Sequence, residues 1–94
     1  MLCSIPAEVG KPFNMACMVA GGSGFLCMPD FDPVHISLVS QAITPIGPGV
    51  AKPVRYTFTF VPRMPGTSVV HLITLRPWVN GEVSKVTSCD ILVR

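Results

Sequence analysis

Two histidines, four cysteines and two closely spaced aspartates are the residues of this 94-residue chain whose types invite a chemical reading. His35 or His71 beside Cys3, Cys17, Cys27 or Cys89 could form the thiolate–imidazolium dyad of a nucleophilic hydrolase. Such dyads are assembled in space, so distance along the chain does not forbid one. Asp30 and Asp32, flanking Phe31, could act as paired carboxylates or as oxygen ligands for Ca²⁺. Gly21-Gly22-Ser23-Gly24 could, in another setting, cradle a phosphate. Each possibility meets a simpler account. His71 stands in a strongly apolar run and His35 in a second strand-like one, where a histidine with a satisfied hydrogen bond is expected. Asp30 and Asp32 precede Pro33 in what reads as a solvated turn. The glycine segment has no βαβ frame around it. No C-x-x-C pair occurs, which removes most support for a zinc ribbon or a thioredoxin-like motif. The chain is therefore read as a non-enzyme with no metal and no other cofactor. Its cysteines are read as buried thiols acting as small hydrophobes, with one or two disulfides as the alternative.

The elements that must position any site follow from composition. With 49% hydrophobic residues, 13% charged, 10 Pro and 8 Gly, the chain has about half the charge and twice the proline of an average globular sequence. That excludes a disordered tail, which needs low hydrophobicity and high net charge. It equally excludes a coiled coil. A net charge of +2, scattered along the chain, is too small for phosphate tracking, so no nucleic-acid partner is expected. The stretch 14–29, which carries no charge, is broken by Gly21, Gly22 and Gly24, which argues against a membrane span. No charged segment followed by an apolar run opens the chain, so no signal peptide is read from it. A cytoplasmic or endolysosomal (vesicular) setting is favoured over a membrane, and the compartment is otherwise open. A chain this short buries only about 60–65% of its unfolded surface, which favours function on surface loops over a deep internal site.

Proline at ten positions leaves no room for a long helix. Between the breakers lie short runs of period-two alternation, expected to be strands. Phe13, Met15, Cys17 and Val19 share one face of the run 13–19. In 54–61, Tyr56, Phe58 and Phe60 oppose Arg55, Thr57 and Thr59. The run 68–75 is apolar on both faces, as a doubly covered central strand would be. Further strands are expected at 85–93, 34–40, 4–8 and 25–28. Six or seven short strands separated by Gly/Pro turns fit an all-β, two-sheet antiparallel sandwich in one domain spanning 1–94. Three connections, 20–24, 44–52 and 76–84, are too long or too unusual for simple hairpins. The last holds Trp78, the one tryptophan, between Arg76-Pro77 and an Asn80-Gly81 turn. Two roles are open to it: an interface anchor on a stiff loop, or a plug folded back over the end of the sandwich.

At Arg76-Pro77-Trp78 a family comes into view. The stretch from Gly66-Thr67 through Val69-Val70-His71-Leu72-Ile73-Thr74-Leu75 to Arg76-Pro77-Trp78 resembles the closing half of the chagasin-type inhibitors of papain-like cysteine proteases. In that family a Gly-Thr strand start runs directly into an Arg-Pro-Trp loop. Glu8-Val9-Gly10 is similar to the family's opening strand, which leads to an Asn-Pro-Thr-Thr-Gly-(Tyr/Phe)-x-Trp loop. Here Ala20-Gly21-Gly22-Ser23-Gly24-Phe25-Leu26-Cys27 holds that place, and Cys27 stands where the family has tryptophan. Gly47-Pro48-Gly49-Val50 matches the family's Gly-x-Gly-Gly loop at its first three positions.

The resemblance implies an immunoglobulin-like sandwich of about seven strands. It also implies a tight-binding, reversible, non-covalent inhibitor of papain-family, cathepsin-like proteases, acting as a monomer. Three loops at one end would form a wedge: Ala20, Gly21, Gly22, Ser23, Gly24 and Phe25 in the first; Gly47, Pro48, Gly49 and Val50 in the second; Arg76, Pro77 and Trp78 in the third. By the same resemblance, the first loop would lie over the catalytic cysteine with the Ser23 hydroxyl near the catalytic histidine. Phe25 would pack at the loop base and Trp78 would stack beside the cleft. Arg76 would either pair with a protease carboxylate or brace its own loop. The alternative reading is a non-inhibitory immunoglobulin-like binding or adhesion module.

Overall fold

Alternating burial builds the strands of the computed structural model, which describes residues 3–49 and 52–94. In β2 (Phe13–Val19), Met15, Cys17 and Val19 are buried while Asn14, Ala16 and Met18 face water. In β5 (Val54–Pro62), Tyr56, Phe58, Phe60 and Pro62 are buried. These residues pack two sheets face to face. One has the order β1 (Cys3–Ala7), β7 (Glu82–Val93), β6 (Gly66–Arg76), β3 (Leu26–Asp30). The other has the order β2, β5, β4 (Ile36–Pro45). The expected all-β, two-sheet sandwich of seven strands is the architecture found. One pairing departs from the antiparallel expectation: β1 lies parallel to β7, with Cys3 opposite Cys89 and Ala7 opposite Val93. A parallel pair needs a long crossover, and here the rest of the chain provides it.

The lower core is aromatic. Phe60 is fully buried, stacked on Phe13 with ring centroids 5.5 Å apart and met edge-on by Phe31 at 5.3 Å. Phe58 follows at 6.4 Å from Phe60. Ile36, Val70 and Ile91 close the core from the other strands. Above this level the sandwich thins. Residues 39–45 of β4 and 82–88 of β7 are exposed on both faces, so two hairpins, β4–β5 and β6–β7, reach past the core.

Three expectations change. First, β6 is central but not doubly covered: Val70, Leu72 and Thr74 are buried, whereas Val69 is 40% exposed and His71 and Ile73 are half-buried. Among the described residues no second layer covers its outer face, and Ile73 lies in register between Met28 and Val86, which are exposed. Apolar residues on both faces describe the composition of a strand, not what covers it. Second, the strands run further than their patterns. Thr44 and Pro45 pair with Arg55 and Val54, and Arg76 pairs with Glu82, so the loops shrink to 46–53 and 77–81. β4 keeps register over that length by a bulge between Leu38 and Ser40 that leaves Val39 exposed. Third, the cysteines divide. Cys17 and Cys27 are free and buried, while Cys3 and Cys89 form a disulfide. The parallel β1–β7 register brings their Cα atoms to 4.5 Å, within bridging distance. Strand register is not written in cysteine spacing.

The residues screened for chemistry occupy structural positions. Asp32 makes an Asx turn, its Oδ1 accepting from the Val34 amide at 2.9 Å, and its backbone carbonyl accepts from the amides of His35 and Ile36. His35 Nε2 lies 3.7 Å from Asp32 Oδ2. His71 hydrogen-bonds Ser88 through Nδ1 on the open face of the sheet. Among the described residues, no cluster of three or more His, Cys, Asp or Glu side chains is placed to hold a metal.

Candidate functional site

Strand pairing gathers the three loops. Val19, Val54 and Pro45 sit side by side in one sheet, and Leu26 lies beside Leu75 in the other. The connections 20–25, 46–53 and 77–81 therefore all leave from the same end of the sandwich.

The third loop is built from two successive turns. The Val79 amide donates to the Arg76 carbonyl at 3.2 Å, closing a turn with Pro77 at its second position. The Glu82 amide then donates to the Val79 carbonyl at 2.9 Å around Asn80 and Gly81, whose φ angles are +50° and +68°. That is the type I′ hairpin turn for which Asn-Gly is the preferred pair. The double turn lifts Trp78 to 62% exposure and leaves Val79 exposed beside it. Trp78 therefore does not plug the end of the sandwich.

The first loop is closed on itself. The Ser23 hydroxyl donates to the Ala20 carbonyl at 2.6 Å and accepts from the Phe25 amide at 3.3 Å. The expectation that it reaches outward to a protease histidine meets a hydroxyl whose proton is already engaged inside the turn. Ala20 and Gly22 are exposed and Gly21 is half-buried. Gly24 has φ +83°, and a Cβ placed there would stand 3.4 Å from Trp78 Cζ2. The first loop therefore backs the indole of the third. Phe25 packs against the core cluster from the loop base.

Arg76 joins the two loops from within. Its guanidinium carbon lies 4.2 Å from the Phe25 ring centroid, and Nη1 is 3.7 Å from Glu82 Oε2. Its Nε is buried without a hydrogen-bond partner, so stacking and the ion pair hold it in place. Of the two roles open to Arg76, this geometry is that of a brace. Two residues absent from the sequence-based site belong to it. Val79 extends the apolar tip and Glu82 anchors Arg76. Both lie at the Asn80-Gly81 turn in sequence: Val79 immediately precedes it, and Arg76 and Glu82 flank it.

The second loop stands on the other sheet. The Ile46 amide donates to the Pro53 carbonyl at 2.8 Å. Gly47 and Gly49 take φ of +83° and +103°, and Gly47, Pro48 and Gly49 are exposed. Val50 lies outside the described residues. Among the described residues, no hydrogen bond, ion pair or aromatic contact joins this loop to the other two. Beneath the first loop an open cavity of about 290 Å³ is lined by Val19, Ala20, Ser23, Phe25, Thr74 and Lys85, among others.

The arrangement offers two exposed apolar side chains, Trp78 and Val79, on hydrogen-bonded turns, with Arg76, Glu82 and Lys85 behind them. A substitution tests the backing of Trp78. Gly24→Ala should destabilise the fold by about 1 kcal/mol, because alanine disfavours this φ, and should blue- or red-shift Trp78 fluorescence as the indole is displaced. An unmoved emission spectrum would show that the two loops are independent.

No protein-family model matches the chain, and no curated protein matches its sequence. Among solved structures, the crystal structure of the cysteine protease inhibitor EhICP2 from Entamoeba histolytica superposes on it with a TM-score of 0.86 and 16% sequence identity. The match covers 99% of this chain and 87% of that one. The chain thus shares an immunoglobulin-like, two-sheet β-sandwich fold with that inhibitor structure.

Proposed function

We propose that this protein is a reversible, non-covalent inhibitor of papain-family cysteine proteases that fills the active-site cleft with the loops at one end of its sandwich. The observation that carries the reading is the tip itself. Trp78 stands exposed on a double turn, backed by Gly24 and braced through Arg76 and Phe25, on a fold shared with a cysteine protease inhibitor.

The geometry explains how such a tip would inhibit without being cut. A protease cleaves extended peptide, whereas 20–25 is a closed turn whose Ala20 carbonyl already accepts from Ser23. The glycines let its backbone approach a cleft closely. Trp78 and Val79 bury apolar surface against one wall, and the Gly47-Pro48-Gly49-Val50 loop meets the other. Because the turns are fixed before docking, little conformational freedom is lost on binding. The contact would bury about 1,600–2,000 Å² in total, as is usual for protease–inhibitor pairs. One copy of the chain suffices for this.

Titration against papain with a fluorogenic peptide substrate tests the proposal. Inhibition that saturates and is reversed by dilution is expected. No inhibition at micromolar concentration overturns it in favour of a non-inhibitory binding module. Trp78→Ala should raise Kd about 30-fold, the equivalent of about 2 kcal/mol for an anchor of this kind. An unchanged Kd would remove this loop from the interface.

A further inference from the structure

The two free cysteines flank Thr74 from opposite sheets beneath the first loop. Cys27 lies on the inner face of β3, in a row with Thr74 of β6 and Lys85 of β7. Cys17 lies on the inner face of β2 in the opposite sheet, and its Sγ is 3.5 Å from Thr74 Oγ1. The residue that pairs with Cys27 thus touches Cys17, and both thiols are buried, at 8% and 2% exposure. The open cavity below the loop reaches this row through Thr74 and Lys85.

We propose that Cys17 and Cys27 are a convertible dithiol that closes, under oxidising conditions, into a second disulfide stapling β2 to β3 at the base of the first loop. In sequence the bridge would enclose residues 18–26, and therefore the whole 20–25 turn. Two S–H bonds break and one S–S bond forms. The two electrons and two protons pass to a low-molecular-weight disulfide, which leaves as two thiols.

The folded dithiol resists this step. Burial first, and the adjacent Cys17 side chain second, push the Cys27 thiol well above its ordinary range, against a smaller opposing effect of Lys85. Few thiolates are available to attack, so the bond forms while the chain folds or opens locally. The chain's redox history would then fix the stiffness of its first loop. Closing a ring this small makes the folded state about a hundredfold more populated relative to the unfolded one on chain-entropy grounds. It also removes freedom that docking would otherwise have to remove. This last consequence rests on the inhibitor reading; the disulfide itself does not.

The test uses the full wild-type chain, refolded from denaturant in parallel in excess reduced glutathione and in oxidised-glutathione buffer. Remaining thiols are alkylated after denaturation. Chymotryptic cleavage after Phe25 separates the two cysteines, so their peptides stay joined only through a bridge. The expected result is a Cys17–Cys27 cross-link beside Cys3–Cys89 in the oxidising arm, with hydrogen exchange of 21–24 slowed at least several-fold. Alkylated Cys17 and Cys27, a glutathione adduct at either, or a bridge from either to Cys3 or Cys89 overturns the proposal. Both forms are then titrated against papain. A cross-link without inhibition would leave the dithiol standing while removing the inhibitor reading.

Discussion

Replacing both Cys3 and Cys89 by alanine is expected to lower the free energy of unfolding by about 4 kcal/mol. The two cysteines are 86 positions apart, so their bond constrains nearly the whole unfolded chain, and the loop-entropy account places such a bridge near the top of the usual range of about 2–5 kcal/mol. Apart from the bridge, β1 is held by its parallel ladder with β7 and by one half-buried face. That strand is five residues long, lies at a sheet edge, and places Cys3, Ile5 and Ala7 only half-buried against the core. For a domain of this size the total stability is on the order of 5–15 kcal/mol, so the variant should sit near its folding threshold at 37 °C. Urea denaturation followed by Trp78 fluorescence and by circular dichroism measures the change. A loss under about 1 kcal/mol would mean that the β1–β7 ladder alone secures the edge, and that the unfolded chain is already compact.

Phe60→Ala is expected to cost about 3–5 kcal/mol, the range for a buried phenyl ring whose cavity cannot collapse. Phe60 is fully buried at the centre of its sheet and touches Phe13, Phe31 and Phe58, so three rings lose a neighbour at once. Phe60→Leu, which keeps most of the volume, should cost less than half as much. The more informative readout is binding. Phe60 lies six residues along β5 from Val54, about 20 Å from the loop end. Under conditions where the variant is still folded, its Kd for papain should stay within about twofold of wild type, since sites this far apart behave independently. A large change would show that the core, and not only the local turns, sets the geometry of the tip.

Much of this is legible in the residues themselves. Residues 13–19 and 54–61 alternate cleanly because one face of each meets the core and the other meets water, and the strands fall there. The Asn-Gly step at 80–81 predicted a turn because few other pairs accept two positive φ angles. What stayed hidden depended on partners distant in sequence. Cys3 and Cys89 are joined by the register of a parallel pair between the first and last strands, which no local pattern encodes. The apolar composition of 68–75 could not reveal that one face of β6 lacks a covering layer among the described residues. In the loops, the resemblance implies a Ser23 hydroxyl near a protease histidine, and the local hydrogen bond to the Ala20 carbonyl is the added detail that the loop's own turn supplies. Arg76 had two roles from sequence, and only the placement of Phe25 and Glu82 around it separates them.

The parallel course of β1 and β7 has a practical consequence for handling the molecule. Arg94 is tied to the end opposite the loops: its amide donates to the Ala7 carbonyl, and its carbonyl accepts from the Val9 amide. The molecule is elongated, 42 Å on its longest axis and 25–29 Å on the others. A tether joined after Arg94 would attach it to a resin or sensor chip at the end away from the loops, leaving Trp78 accessible from the bulk solution. Captured in that orientation, it would serve directly as bait for whatever its tip recognises. Coupling through surface lysines would scatter the orientations, since Lys52 and Lys85 lie beside the loops.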